Sequence, residues 1–288
     1  MIPAPFDYQT PATLEEAVSL LAGDPDGAKV LAGGHSLIPA MKLRLAQPQL
    51  LVDIARIKSL AYIREEGTRI LIGATTTHYQ LESSELLKQV CPLLPLCAAS
   101  IGDVQVRNKG TIGGSIAHSD PAGDWPAAVL ALDADLVLVG PTGERTVKAA
   151  GFFIDLLTVD LQPGEILREI RIEKPSGRFG QAYQKVPHPA SGFAVVGIAV
   201  DLTLNDDGSC KAARVGVTGV GVKAYRAAAV EAGLAGTNLD DQTIAAAAEH
   251  VCDGIDPNSD LYASSDYRCA LAKVHTRRAL QAAKAAVK

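Results

Sequence analysis

Long apolar runs are missing from this chain of 288 residues. No stretch approaches the ~20 residues that a bilayer-spanning helix needs. The opening Met-Ile-Pro-Ala-Pro-Phe lacks the basic, then apolar, then small-residue order of a signal peptide. The expectation is therefore a cytoplasmic protein. Cysteine is scarce, with five scattered along the chain, and an odd, scattered set suggests no disulfide framework. Cys91 and Cys97 lie in an apolar segment without a usual metal-ligand spacing, so the thiols read as reduced core or surface groups. Positive charge is not in excess either. The 27 Lys and Arg against 32 Asp and Glu leave a net −5, which argues against a nucleic-acid surface. Internal repeats and low-complexity segments are absent as well.

What is present is a globular composition, 48% hydrophobic and 20% charged. The length suits a well-buried core in two domains rather than one. Two glycine-rich stretches carry the chemistry. The first is Ala32-Gly-Gly-His-Ser36; the second is Thr111-Ile-Gly-Gly-Ser-Ile-Ala-His-Ser-Asp-Pro-Ala-Gly-Asp124. Paired glycines let a backbone turn tightly and approach a ligand with no Cβ in the way. The second stretch contains no lysine or arginine. An anion there would be held mainly by backbone N–H groups and hydroxyls. The two loops are expected to close on one phosphate-containing cofactor.

Taken in order, Thr13-Leu-Glu-Glu16 has capping-box spacing before a helix. A strand at Lys29 to Ala32, the Gly33-Gly34 loop, a short helix from Pro39 and a strand at Leu50 to Ile54 make a compact α/β unit. The G-x-G-x-x-G spacing of a Rossmann fingerprint is missing from that loop. Hairpins are expected at Ala61 to Gly73 and at Leu136 to Lys148, with helices between them. Arg107 and Lys109 either sit in solvent or face an anion. Glu173-Lys-Pro-Ser-Gly177 reads as an inter-domain hinge. Three strand candidates and three helices follow, an α+β arrangement.

The two stretches with their flanks, including Ile101-Gly-Asp-Val-Gln-Val-Arg-Asn-Lys-Gly110 and Tyr267-Arg-Cys-Ala-Leu-Ala-Lys-Val-His-Thr-Arg-Arg-Ala-Leu280, resemble the FAD-binding medium subunit of the molybdenum hydroxylases. The carbon monoxide dehydrogenase type is the nearest in pattern, and the resemblance covers almost the whole chain. It implies an α+β protein with a two-subdomain FAD-binding fold of the vanillyl-alcohol-oxidase (PCMH) type, followed by a small C-terminal domain of antiparallel sheet and helices. The boundaries expected are 1–175, split at about 57, and 176–288. It also implies FAD as cofactor and two partners, a molybdenum-pterin large subunit and a [2Fe–2S] small subunit, in a dimer of heterotrimers. The flavin would take electrons from the clusters and pass them to an external acceptor.

On this basis Ala32, Gly33, Gly34, His35, Ser36 and Leu37 are expected on one side of the pyrophosphate, with Thr111, Gly113, Gly114 and Ser115 on the other. Ile101 is expected at the cofactor. Asp124 either accepts from a ribose or ribityl hydroxyl or caps the Trp125 helix, or does both. Ile166 and Leu167 match a strand placed against the flavin. Lys185 is either a cation beside the flavin or a surface lysine, and Phe193 lies either beside the isoalloxazine or in the core. Ser115 departs from an asparagine or aspartate common at that position; Ser119 and Gly123 replace frequent alanines. His35 and His118 are read as shaping the loops or neighbouring the cofactor. No residue is assigned a catalytic or metal-binding role.

Overall fold

In the computed structural model, which describes residues 1–288, the helix expected after Thr13 runs Leu14–Gly23 and buries Leu14, Ala17, Val18 and Leu21. Those residues share one helical face, so they reach the core together. Thr13 Oγ1 accepts from the Glu16 amide at 3.2 Å. The Glu16 carboxylate accepts from the Ala12 amide at 2.8 Å, one residue earlier than in a capping box. Strands Ala28–Leu31 and Leu50–Asp53 form a parallel pair, and a third strand, Asp7–Gln9, adds to the far edge of Leu50–Asp53. Asp7–Gln9 is exposed along its length, so it carries no apolar alternation by which to mark it.

A five-stranded antiparallel sheet follows, in the order Ile63–Glu66, Arg69–Gly73, Ile166–Glu173, Asp135–Gly140, Gly143–Lys148. The two hairpins are those the sequence marks, and Ile166–Glu173 comes back to sit between them. Its inserted position joins segments about a hundred residues apart. The helices His78–Ser83, Glu85–Val90, Leu93–Ala99, Val104–Arg107 and Ile112–His118 fill the sequence between the hairpins.

Beyond residue 177 comes an antiparallel sheet of four strands, Arg178–Pro187, Ala194–Leu204, Cys210–Thr218 and Tyr225–Arg226. It is packed against the long helix Ser265–Ala285 and against Asp124–Ala131, a helix of which every residue is buried. That second helix begins at Asp124, the last residue of the stretch that holds the glycine pair, so it ties the candidate site to the C-terminal sheet. No helix is long and apolar enough to cross a membrane.

Three expectations change here. Thr111 to Ser115 is not an open loop. Thr111 is the N-cap of helix Ile112–His118, its hydroxyl accepting from the Gly114 amide. Asp124 does not cap the Trp125 helix; Gly123 stands at the cap and Asp124 is the first helical residue. Not all five cysteines are free thiols. Cys252 and Cys269 form a disulfide across 17 positions with Cα atoms 6.1 Å apart, while Cys91, Cys97 and Cys210 are free and buried.

Candidate functional site

A cleft of about 770 Å³ opens where these parts meet. One wall is the first glycine loop, and Ala32, Gly33, Gly34, His35, Ser36 and Leu37 all line it. The second stretch contributes Thr111, Gly114, Ser115 and Asp124, with Ile101 and Phe193 also on the lining. The fold thus joins two segments separated by about eighty residues. They touch without intervening side chains: a Cβ on Gly33 would stand 2.3 Å from the Lys109 carbonyl oxygen and 2.8 Å from the Gly110 Cα. Such an approach is open only to glycine.

Four residues expected at the site do not line the cleft. Gly113 faces the other way, its missing Cβ side lying 2.4 Å from the Ala74 Cβ. Ile166 and Leu167 are buried in two different hydrophobic clusters, and their immediate predecessors Gly164 and Glu165 reach the cleft instead. Lys185 lies behind Asp124. Its Nζ donates to Asp124 Oδ2 at 2.8 Å and to the Ser100 carbonyl at 2.9 Å. Tyr183 donates to Asp124 Oδ1 at 2.5 Å. Each oxygen of Asp124 therefore already has a partner from the C-terminal sheet. Burial raises the Asp124 pKa even though Lys185 and Tyr183 act to lower it. Burial and the neighbouring carboxylate push the Tyr183 hydroxyl well above its ordinary value.

The two glycine stretches do not offer an anion the same thing. In the second, the amides are used internally: Ile112 donates to the Thr76 carbonyl, Gly113 to Ala74, Gly114 to the Thr111 hydroxyl and Ser115 to the Thr111 carbonyl. In the first, the amides of Gly33, Gly34, His35 and Ser36 donate to no atom of the protein. Gly34 turns through φ +76°, a region that favours glycine. Successive unused amides in such a turn form an anion-binding concavity. Of the two stretches expected to grip a pyrophosphate, Gly33 to Ser36 thus keeps its amides free of protein partners, and the second lines the cleft with Thr111, Gly114 and Ser115. His35 Nδ1 lies 3.2 Å from the Gly33 carbonyl oxygen, a contact that shapes this loop.

Comparison with known proteins settles the family. The family described as the FAD binding domain in molybdopterin dehydrogenase matches residues 4–175, and the CO dehydrogenase flavoprotein C-terminal domain matches residues 181–283. The chain belongs to this flavoprotein family. It is 41% identical to the carbon monoxide dehydrogenase medium chain of Hydrogenophaga pseudoflava, covering 98% of both chains. It is 37% identical to subunit alpha of the 6-hydroxypseudooxynicotine dehydrogenase complex of Paenarthrobacter nicotinovorans, covering 97% of this chain and 95% of that one. The solved Hydrogenophaga pseudoflava carbon monoxide dehydrogenase that lacks the Mo-pyranopterin moiety superposes with a TM-score of 0.97 at 43% identity over the full length of both chains. FAD is the cofactor of the family, and the chain is an FAD-binding medium subunit of the molybdenum hydroxylase kind.

The cleft fits FAD: it is lined by glycines, by amides with no protein partner and by hydroxyls. Another wall of the cleft carries no motif in the sequence. Leu157, Thr158, Val159, Leu161 and Gln162 lead to Pro163, Gly164 and Glu165 there. Arg145 braces this wall, donating to both Glu165 oxygens at 2.7 and 2.8 Å and to Asp160 at 2.9 Å. Burial acts to raise the Glu165 pKa, but the hydrogen bonds from Arg145 and the Gln162 amide hold it below the usual carboxylate value. The one cue was Gln162-Pro-Gly164, a turn signal directly before a strand. Arg107 faces an anion of the protein itself: it pairs with the Glu82 carboxylate at 2.7 Å and donates to the carbonyls of Ile101 and Gly102. His118 lines the cleft, as does His78, a buried residue that no sequence motif marks.

Proposed function

We propose that this chain holds FAD in the cleft and serves as the electron exit of a molybdenum hydroxylase. The unused amides of Gly33 to Ser36, facing Thr111 and Ser115 across a cleft between two glycine stretches, carry the reading. A pyrophosphate bears two negative charges and suits such a set of donors. Bound there, the flavin would accept electrons one or two at a time and release them to a second carrier.

The protein's own residues position and shield. Gly33 to Ser36 grip the phosphates, Ser115 and Thr111 add hydroxyl contacts, and Ile101 and Phe193 cover the ligand with apolar surface. Asp124 keeps one acceptor direction per oxygen for a polyol hydroxyl while its remaining capacity goes to Tyr183 and Lys185. Lys185 acts on the site through Asp124, and Ile166 and Leu167 set the course of the backbone that presents Gly164 and Glu165.

The reading extends to the assembly. Electrons arrive from [2Fe–2S] clusters on a small partner subunit, the substrate is oxidised on a molybdenum-pterin large subunit, and the complex is a dimer of heterotrimers that reduces an external acceptor. A cytoplasmic setting is part of the same proposal. The domains are taken as 1–175, divided at about 57, and 176–288. Relatives named for carbon monoxide and for 6-hydroxypseudooxynicotine are consistent with a substrate set by the large subunit. The purified protein should show flavin absorption bands and should co-purify with iron–sulfur and molybdenum subunits. A colourless, folded chain defeats the flavin assignment. A flavin-loaded chain that never associates with such subunits points to a free-standing oxidoreductase.

A further inference from the structure

His78 is the first residue of helix His78–Ser83 and is 5% exposed, yet it lines the cleft. Its Nδ1 accepts a hydrogen bond from Trp125 Nε1 at 3.0 Å. An indole nitrogen can only donate, so Nδ1 must be unprotonated and the proton of the neutral ring sits on Nε2. Trp125 is fully buried in the helix Asp124–Ala131, which leaves it little room to turn away. Burial, followed by the nearby charges of His35 and Arg107, lowers the His78 pKa to about 4. The ring is thus neutral with its tautomer fixed. Its Nε2–H finds no acceptor in the protein. Nε2 lies beside Gly110, where a Cβ would stand only 2.5 Å from it. Gly110 in turn is the residue against which Gly33 packs.

With Nδ1 taken by Trp125 and no protein acceptor for Nε2, the one free donor of this ring is available to a ligand in the cleft that His78 lines. Resting on the FAD reading above, we infer that His78 binds the cofactor directly. Its Nε2–H donates to an acceptor oxygen on the same segment that the Gly33 to Ser36 amides grip. Trp125 is the positioning residue that fixes which nitrogen carries the proton. The arrangement supplies a directed donor without a second positive charge. It also explains why residue 110 is glycine: any side chain there would cover Nε2.

The test titrates the full-length chain with FAD and follows quenching of flavin fluorescence. Wild-type protein that takes up no FAD overturns the site reading and this inference with it. Where wild type binds, His78→Phe is expected to raise Kd about tenfold or more, the size of one lost hydrogen bond to a charged acceptor. His78→Gln keeps an N–H at similar reach and should recover most of the affinity. Unchanged affinity in folded His78→Phe, or an equal loss in both variants, overturns the role of His78 and leaves the FAD site standing. Nitrogen-15 NMR of histidine-labelled wild-type protein reads the tautomer independently. A proton on Nδ1 of His78 sinks the proposal; a proton on Nε2 that shifts on addition of FAD supports it.

Discussion

Lys185 Nζ and Asp124 Oδ2 lie 2.8 Å apart with side chains 6% and 4% exposed, joining the C-terminal sheet to the helix that borders the cleft. Removing one partner of a buried ion pair leaves the other charge uncompensated, which costs about 3–5 kcal/mol. Lys185→Met is therefore expected to destabilise the fold by about 3 kcal/mol in urea unfolding. Adding Asp124→Asn should restore part of the loss. If the two effects simply add, the pair is not coupled as the geometry requires.

His78 predicts a pH dependence with a definite sign. Its pKa falls from 6.5 to about 4 on folding. The unfolded chain thus binds the proton more readily between those values. Stability from this residue is fully present above pH 6.5 and is lost as pH drops toward 4, by about 3 kcal/mol over the window. The difference between wild type and His78→Gln across that range isolates the contribution from other groups. Parallel stability curves for the two proteins contradict the assignment.

Contact between the glycine stretches sets a third expectation. Gly33→Ala puts a Cβ 2.3 Å from the Lys109 carbonyl oxygen, and overpacking of this kind costs about 1–3 kcal/mol. The loops must separate, so the variant should fold with a lowered melting temperature and hold little FAD. Flavin content per chain against circular dichroism measures both. Gly114→Val makes a less clean test, because its Cβ would first meet the Thr111 hydroxyl at 2.8 Å and disturb that N-cap.

The Cys252–Cys269 bond closes a loop of 17 positions. Cross-linking a loop of that size stabilises by about 3 kcal/mol through the unfolded state. Oxidised protein should unfold at higher urea than protein treated with a dithiol, and Cys269→Ser should erase the difference. Neither cysteine lines the cleft proposed for FAD, so flavin content is expected to stay constant across all three.

The order of elements was readable because it rests on local physics. Helical spacing in Leu14 to Leu21, alternation in the hairpins, and turn residues such as Asn205-Asp-Asp-Gly-Ser209 act over a few positions, and the fold follows them. Strand Asp7–Gln9 escaped because nothing in it is buried. The disulfide escaped because 17 positions of chain say nothing about whether two side chains meet.

From the sequence alone came the two glycine stretches, their resemblance to a flavoprotein family, and most of the residues that line one face of the cleft. Composition shows that residues 113 and 114 are paired glycines, and it cannot say where an N–H points. Tertiary structure decided that. It gave the amides of Ile112 to Ser115 to the protein's own acceptors and left those of Gly33 to Ser36 free. It also turned Ile166 and Leu167 into the core and seated Lys185 behind Asp124. Pairing of donors with acceptors, and of one backbone with another about eighty positions away, depends on the three-dimensional path. A linear pattern names the groups a site has, and only the folded chain determines which of them remain unspent.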